Sequence, residues 1–211
     1  AEFDASRIRE APAVAANTLL ALRRRLALHG CDMRFLPIPR KAVACSERLP
    51  VGFPAHREFD AEVISRLRAG GAPTIDLLRA WEGKVADELY MRLDTHWVVG
   101  GQEAAARAIA EQFEDLRGEP SGAFGAIALV RTQEPGPAAL LRFAGFYDDS
   151  SAWNHVNDTP LNRVRFASEA LERQLAGPGA VGGERSDLVL AGTSFTQHLA
   201  LHPLLVAELH A

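Results

Sequence analysis

Apolar residues recur at helical spacing over residues 12–29, PAVAANTLLALRRRLALH, and Gly30 stands where a helix would end. DMRFLPIP follows as a short apolar run closed by Pro37 and Pro39, which predicts a buried strand. Residues 60–69 predict a second helix, with Asp60 as its cap and Gly70-Gly71 as its stop. PTIDLLRAW carries an extended piece into a helical turn, and from Gly101 to about Leu116 the chain predicts an amphipathic helix rich in good helix formers. FGAIALVR and AALLRFAGF have the composition of strands, separated by the turn-rich TQEPGP. Residues 159–176 predict a helix with Thr159 as cap and Pro160 at its first position. After the Gly-rich AGPGAVGGERS loop, DLVLAGTSF predicts a buried strand stopping at Gly192, and TQHLALHPLLVAELHA a last helix that Pro203 can kink. Strands alternating with helices, without a repeat or clear linker, predict one α/β domain over residues 1–211 with a parallel sheet flanked by helices.

Composition narrows the function classes more than the fold. The 211 residues are 47% hydrophobic and 24% charged, the balance of a folded globular chain. A net charge of -4 leaves no basic footprint for nucleic acid, and any acidic partner would need a local basic patch. No apolar run approaches the roughly 18 residues that a membrane-spanning helix needs. The chain opens on AEFDASR, without methionine or a secretory pattern, and reads as a trimmed or mature form. Cys31 and Cys45 are the only cysteines. They fit either one disulfide or two buried free thiols, and alone they cannot make a zinc site.

Candidate chemistry concentrates in two places. In YMRLDTHWVV, Asp94 and His96 stand two residues apart just before a helix. In LVLAGTSFTQ, Ser194 lies past a buried apolar run, at the kind of strand-to-helix junction where an open α/β sheet forms its active site. A serine hydroxyl is a poor nucleophile until a base removes its proton. His96 is the candidate base and Asp94 the group that holds its tautomer and stabilises the imidazolium, while the amides after Gly192 suit a developing oxyanion. Each segment also fits a plainer role: Ser194 as a helix cap, Asp94 or Thr95 as a cap of the following helix, His96 on a solvated loop.

YMRLDTHWVVGGQEAAARAIA together with LVLAGTSFTQHL resembles the alginate O-acetyltransferase family, of the AlgJ/AlgX kind, within the SGNH-hydrolase-like superfamily. GCDMRFLPIPRKAV resembles that family's strand-Pro-x-Pro-x-Lys region. The resemblance implies a flavodoxin-like three-layer fold with the catalytic motifs in permuted order, acid and base before the serine. It implies that Asp94, His96 and Ser194 form the triad. It further implies a periplasmic enzyme, tethered in many members by an N-terminal segment, that O-acetylates an exported polysaccharide. The acetyl donor would come through a membrane O-acyltransferase, beside other polysaccharide-export components. Neither coenzyme A nor a metal is required at the serine. Trp97, Tyr147 and Trp153 are candidates to line the substrate. A carbohydrate acetylesterase uses the same acyl-enzyme with water as acceptor, and a non-catalytic export scaffold is the reading from another class.

Other groups invite chemistry less strongly. GFYDDSSAWNHVNDTP has no counterpart in the family pattern. It gathers Asp148, Asp149, His155 and Asp158, which suit a metal or sugar but equally a solvated loop. Arg23, Arg24 and Arg25 lie within a helix, and an ordinary charged face accounts for them. Arg40 and Lys41 follow the Pro-rich turn, where solvation explains them as well as a substrate would. His198, four residues after Ser194, is a rival base by spacing that helix geometry turns away from the serine.

Overall fold

The computed structural model describes residues 5–53, 55–112, 129–136, 158–168, 191 and 201–209. The chain divides into two compact units, Ala1–Glu82 and Gly83–Ala211.

In the first unit, α1 (Ala5–Ala27) packs against α3 (Arg57–Ala69). Their shared core holds Ala16, Phe35, Val63, Leu67 and Ala72, with Leu19, Leu20, Met33 and Phe59 packed against it. Helix α1 begins earlier than the apolar pattern indicates and carries Pro12 inside it. The DMRFLPIP run forms no regular strand: Phe35 makes a single parallel bridge to Thr74, its N–H donating to the Pro73 carbonyl and its own carbonyl accepting from Ile75. The short helix α2 (Lys41–Ala44), a 3-10 turn (Ser46–Arg48) and α4 (Leu77–Ala80) complete the described elements of this unit. Asp76 caps α4 by accepting from the Arg79 N–H, as an Asp at that position should.

Asp60 is not the cap of α3. The helix starts three residues earlier, after His56 in a left-handed conformation, and Asp60 lies in its first turn, paired with Arg40 at 3.4 Å. At the other end the Gly70-Gly71 stop holds. The Gly70 N–H reaches back to the Arg66 carbonyl, and Gly71 takes a φ of 73° that other residues resist. Both cysteines are free thiols, Cys45 buried and Cys31 exposed, so the expectation of two buried thiols holds only for Cys45.

In the second unit, α6 (Val99–Gln112) is the hub. It packs on α5 (Ala86–Leu89), on α7 (Leu201–Leu209) and on β2 of a two-stranded antiparallel ribbon, β1 (Leu129–Gly136) with β2 (Asp158–Phe166). Small residues at Ala104, Ala105, Ala106 and Ala110 let these neighbours approach closely, and Ile109, Val164, Leu201, Leu204 and Leu205 fill the space between. Pro203 sits within the described part of α7.

The ribbon corrects two expectations. Residues 158–166 are strand rather than the start of a helix: from Arg163 to Phe166 the sequence alternates polar and apolar residues, a short period of two that the Thr-Pro cap signal had masked. The TQEPG stretch is likewise no turn. It continues β1, and the ladder absorbs it with an irregularity between Glu134 and Gly136. AALLRFAGF, the Gly-rich loop, the DLVLAGTSF run and His198 lie outside the described residues, apart from Ala191.

Candidate active site

The DTH segment is a loop clamped at its base. Tyr90 and Trp97 form an antiparallel bridge, the Met91 N–H donates to the His96 carbonyl at 3.1 Å, and the Val98 N–H donates to the Leu89 carbonyl at 2.9 Å. The local sequence explains the clamp. Tyr90, Met91 and Trp97 are all buried, at 2%, 0% and 0% exposure, so the apolar stems are pulled inward, Arg92 and Thr95 between them stay exposed, and Asp94 is drawn in with the stems. Arg92 adds a brace, donating through Nε to Asp87 Oδ1 at 3.2 Å and through Nη2 to Oδ2 at 2.7 Å. This two-point contact ties the loop to α5.

Within the loop, Asp94 is 2% exposed and organises its own neighbour. One carboxylate oxygen, Oδ1, accepts from the His96 backbone N–H at 2.8 Å, closing the two-residue turn that aspartate forms readily. The same oxygen meets His96 Nδ1 at 2.6 Å. A single buried carboxylate therefore sets both the backbone and the ring of His96. With the Nδ1 proton directed at Asp94, Nε2 is the nitrogen positioned to exchange a proton with a substrate or nucleophile. The imidazole keeps an exposed edge, its side chain being 18% accessible against 3% for Asp94. An ionised acid beneath a partly open imidazole stabilises the imidazolium that proton abstraction would create.

The helix that follows holds the loop at its other end. Gly100 passes so close to α5 that a Cβ there would stand 2.7 Å from the Glu88 carbonyl oxygen, a separation that only glycine permits. Helix α6 begins at Val99, so neither Asp94 nor Thr95 stands at the position directly before it, where a cap would lie.

Of the residues singled out in the sequence, the structure brings Asp94 and His96 together. Trp97 is adjacent but fully buried at 0% exposure, so it serves as the anchor of the loop rather than an open wall. Ser194, Tyr147 and Trp153 lie outside the described residues, as do Asp148, Asp149 and His155. Among the described residues, no group of three or more His, Cys, Asp and Glu side chains could hold a metal ion. Arg40 and Arg23 are engaged within the first unit. Arg40 contacts Asp60, the His56 carbonyl and the Phe59 ring, while Arg23 contacts Asp32 and the Met33 carbonyl. Sequence reasoning missed Arg92, Asp87 and Gly100. An i, i+5 arginine–aspartate pair flanking a reactive motif, and a glycine in a helix's first turn, were the available signals.

The class of protein is that of SGNH hydrolase-like domains, helix-rich α/β in this chain. Residues 2–211 match the family model described as "SGNH hydrolase-like domain, acetyltransferase AlgX", and the chain belongs to that family. Among solved structures, it is similar to the O-acetyltransferase domain of Pseudomonas putida AlgJ, at 19% identity and a TM-score of 0.68, covering 99% of this chain and 71% of that one. It is also similar to Pseudomonas aeruginosa AlgX, at 18% identity and a TM-score of 0.63, covering 93% of this chain and 47% of that one. The chain thus spans about half the length of that AlgX chain. A comparison with curated protein sequences finds no match. Among the described residues, no helix is long and apolar enough to cross a membrane.

Proposed function

We propose that this domain O-acetylates hydroxyl groups of an exported, alginate-like polysaccharide through an acetyl-serine intermediate on Ser194. The observation that carries the reading is the paired contact of Asp94 Oδ1 with the backbone and ring of His96, in a chain whose family is that of an acetyltransferase. His96 Nε2 takes the proton of Ser194, whose oxygen attacks the acetyl carbonyl of the donor, and the departing donor group receives that proton. In the second half a sugar hydroxyl gives its proton to His96 and attacks the acetyl-serine ester. The serine leaves with the proton returned. Asp94 remains ionised and compensates the imidazolium in both halves. The catalytic order is then acid, base, serine along the chain, and membership in this family supports a periplasmic setting and a membrane O-acyltransferase as the source of acetyl groups. Trp97 supports the loop from below, and Tyr147 and Trp153 are the residues proposed to stack on sugar rings.

The test combines an acetyl ester donor with wild-type protein and with Ser194→Ala. The expected result is an acetylated Ser194 peptide by mass spectrometry of the quenched wild type, acetyl groups on added polysaccharide fragments, and neither product from a folded Ser194→Ala variant. Acetyl on another residue would overturn the nucleophile assignment. Fast ester hydrolysis with no acetyl on any fragment would make the domain an esterase.

A further inference from the structure

Helix α1 turns one face into the core of the first unit through Ala16, Leu19 and Leu20, while Arg23 donates to the Met33 carbonyl at 3.1 Å. Its other face is the unusual one. Ala11, Val14, Thr18, Ala21, Arg25 and Leu28 follow one another at alternating steps of three and four, the spacing that lines up a single stripe along a helix. From Val14 onward the stripe is exposed, Val14 at 61% and Leu28 at 83%, with Leu22 beside it at 44%. The solvent face of a surface helix ordinarily carries charged and polar residues. Here no acidic residue and no lysine occurs between Glu10 and Asp32. Thr18 spends its hydroxyl inside the helix, donating to the Val14 carbonyl at 2.8 Å. Its methyl group can therefore enter an apolar seam without stranding a donor.

The stripe is complementary to itself when reversed. Its acid, Glu10, lies at the N-terminal end, and Arg24 and Arg25 lie at the C-terminal end. Among the described residues, neither Glu10 nor Arg25 has an ion-pair partner. With a second copy antiparallel and Thr18 over the partner's Ala21, Val14 meets the partner's Arg25 and Ala11 meets the partner's Leu28. Each of these layers then occurs twice about the two-fold axis. The stem of Arg25 covers the partner's Val14, and its guanidinium runs one turn further to the partner's Glu10. The four central layers lie past Pro12, where the helix's own ladder lacks a donor. A parallel pair would stack each arginine on its own copy, and an anionic surface would meet Glu10 with like charge.

We propose that the outward face of α1, through Val14, Thr18, Ala21, Arg25 and Leu28, is an interaction surface for a second copy of this chain, docked antiparallel across a two-fold axis. The pairing goes beyond the acetyl-transfer reading and uses none of its residues. The seam runs about 26 Å along the helix. That is short beside an obligate interface, so the pair forms and separates at micromolar concentration.

The experiment follows the full chain by sedimentation equilibrium over a range of concentrations, with a thermal melt of every variant. The expected result is a monomer–dimer equilibrium of the wild type. Val14→Glu and Leu28→Glu should each weaken it by about tenfold or more, because a carboxylate would be buried in the seam, and both should leave the melt unchanged. If Val14→Glu fails to fold, Leu28→Glu, one residue past the helix, still decides. Glu10→Arg and Arg25→Glu should each weaken the pair less. The double variant Glu10→Arg/Arg25→Glu should recover wild-type affinity, since both ion pairs return in reverse. A wild type that stays monomeric throughout overturns the proposal. So does a dimer that Leu28→Glu leaves intact, which would put the contact elsewhere, and a double reversal without recovery, which would rule out the antiparallel register. Monomeric protein that floats with phosphatidylglycerol vesicles, and loses this in Leu28→Glu, also overturns it and gives the face to lipid.

Discussion

Two aspartates, one in each unit, show what the same side chain does in different company. Asp60 in α3 is 14% exposed at its side chain and is held by Arg40, which reaches it from the turn before α2. Arg40 spreads its contacts over Asp60, the His56 carbonyl and the Phe59 ring, and Asp60 Oδ2 has no hydrogen-bond partner. That is a tie between elements, built from a long side chain with charge to spare. Asp94 instead bonds twice to a residue two places away, through one oxygen and within one turn. The first aspartate holds parts of the fold together. The second orients one ring. The difference teaches that a carboxylate becomes chemically useful when its bonds are spent on a group that can itself move a proton.

Replacement of each acid should separate the two roles, and the largest effect belongs to Asp94. Asp94→Asn preserves shape but offers an amide where the Nδ1 proton needs a carboxylate, favouring the wrong tautomer. Turnover should fall by roughly 10⁴ while the melting temperature moves little. Steady-state kinetics beside a thermal melt decide it, and near-normal turnover would reduce Asp94 to a turn former.

Gly100→Ala attacks the support of the same loop. The added methyl would meet backbone, which cannot swing aside, so α6 must shift off α5. Overpacking of this kind costs about 1–3 kcal/mol. The variant should lose stability in urea and lose activity with it, and a fully stable Gly100→Ala would show that the close approach carries no constraint.

Asp60→Asn should cost only about 1 kcal/mol, because Arg40 is half-exposed and regains water. Acetyl-ester turnover should stay within the wild-type range. A turnover loss comparable to that of Asp94→Asn would erase the distinction between the two carboxylates.

The smallest expected change has the opposite sign. Gln102 is wholly buried one turn into α6, and neither atom of its carboxamide has a hydrogen-bond partner. Gln102→Met keeps the shape and removes the unpaired polar atoms, so the protein should gain up to about 1 kcal/mol. A measured loss on denaturation would mean that the amide is satisfied in solution, by water.

The spacing Asp-x-His was legible because its bonds are local. An aspartate two residues before a backbone N–H makes the same turn in most surroundings, and apolar neighbours such as Tyr90, Met91 and Trp97 announce a buried stem. The helix stops at Gly30 and Gly70-Gly71 were legible for the same reason: a left-handed residue is a property of the residue itself. The misread elements are those decided by a distant partner. Thr159-Pro160 satisfies the local rules for starting a helix, yet residues 158–166 pair with β1, and the strand packs on α6 and α7 with Val164 buried. Asp60 satisfies the rules for a cap and was claimed instead by Arg40, twenty residues earlier.

By itself, then, the sequence determined where turns fall, which stretches are amphipathic, the Asp94–His96 turn, and a family pattern strong enough to name the chemistry. Only the tertiary structure decided that Gly100 must be glycine, that Arg92 braces the loop against Asp87, and that the ribbon turns Val164 inward and Arg163 and Arg165 outward. The reason is range. Turn chemistry and capping act within a few bonds, whereas close approach, strand register and the choice of an arginine's partner depend on atoms that the chain brings together only when it folds.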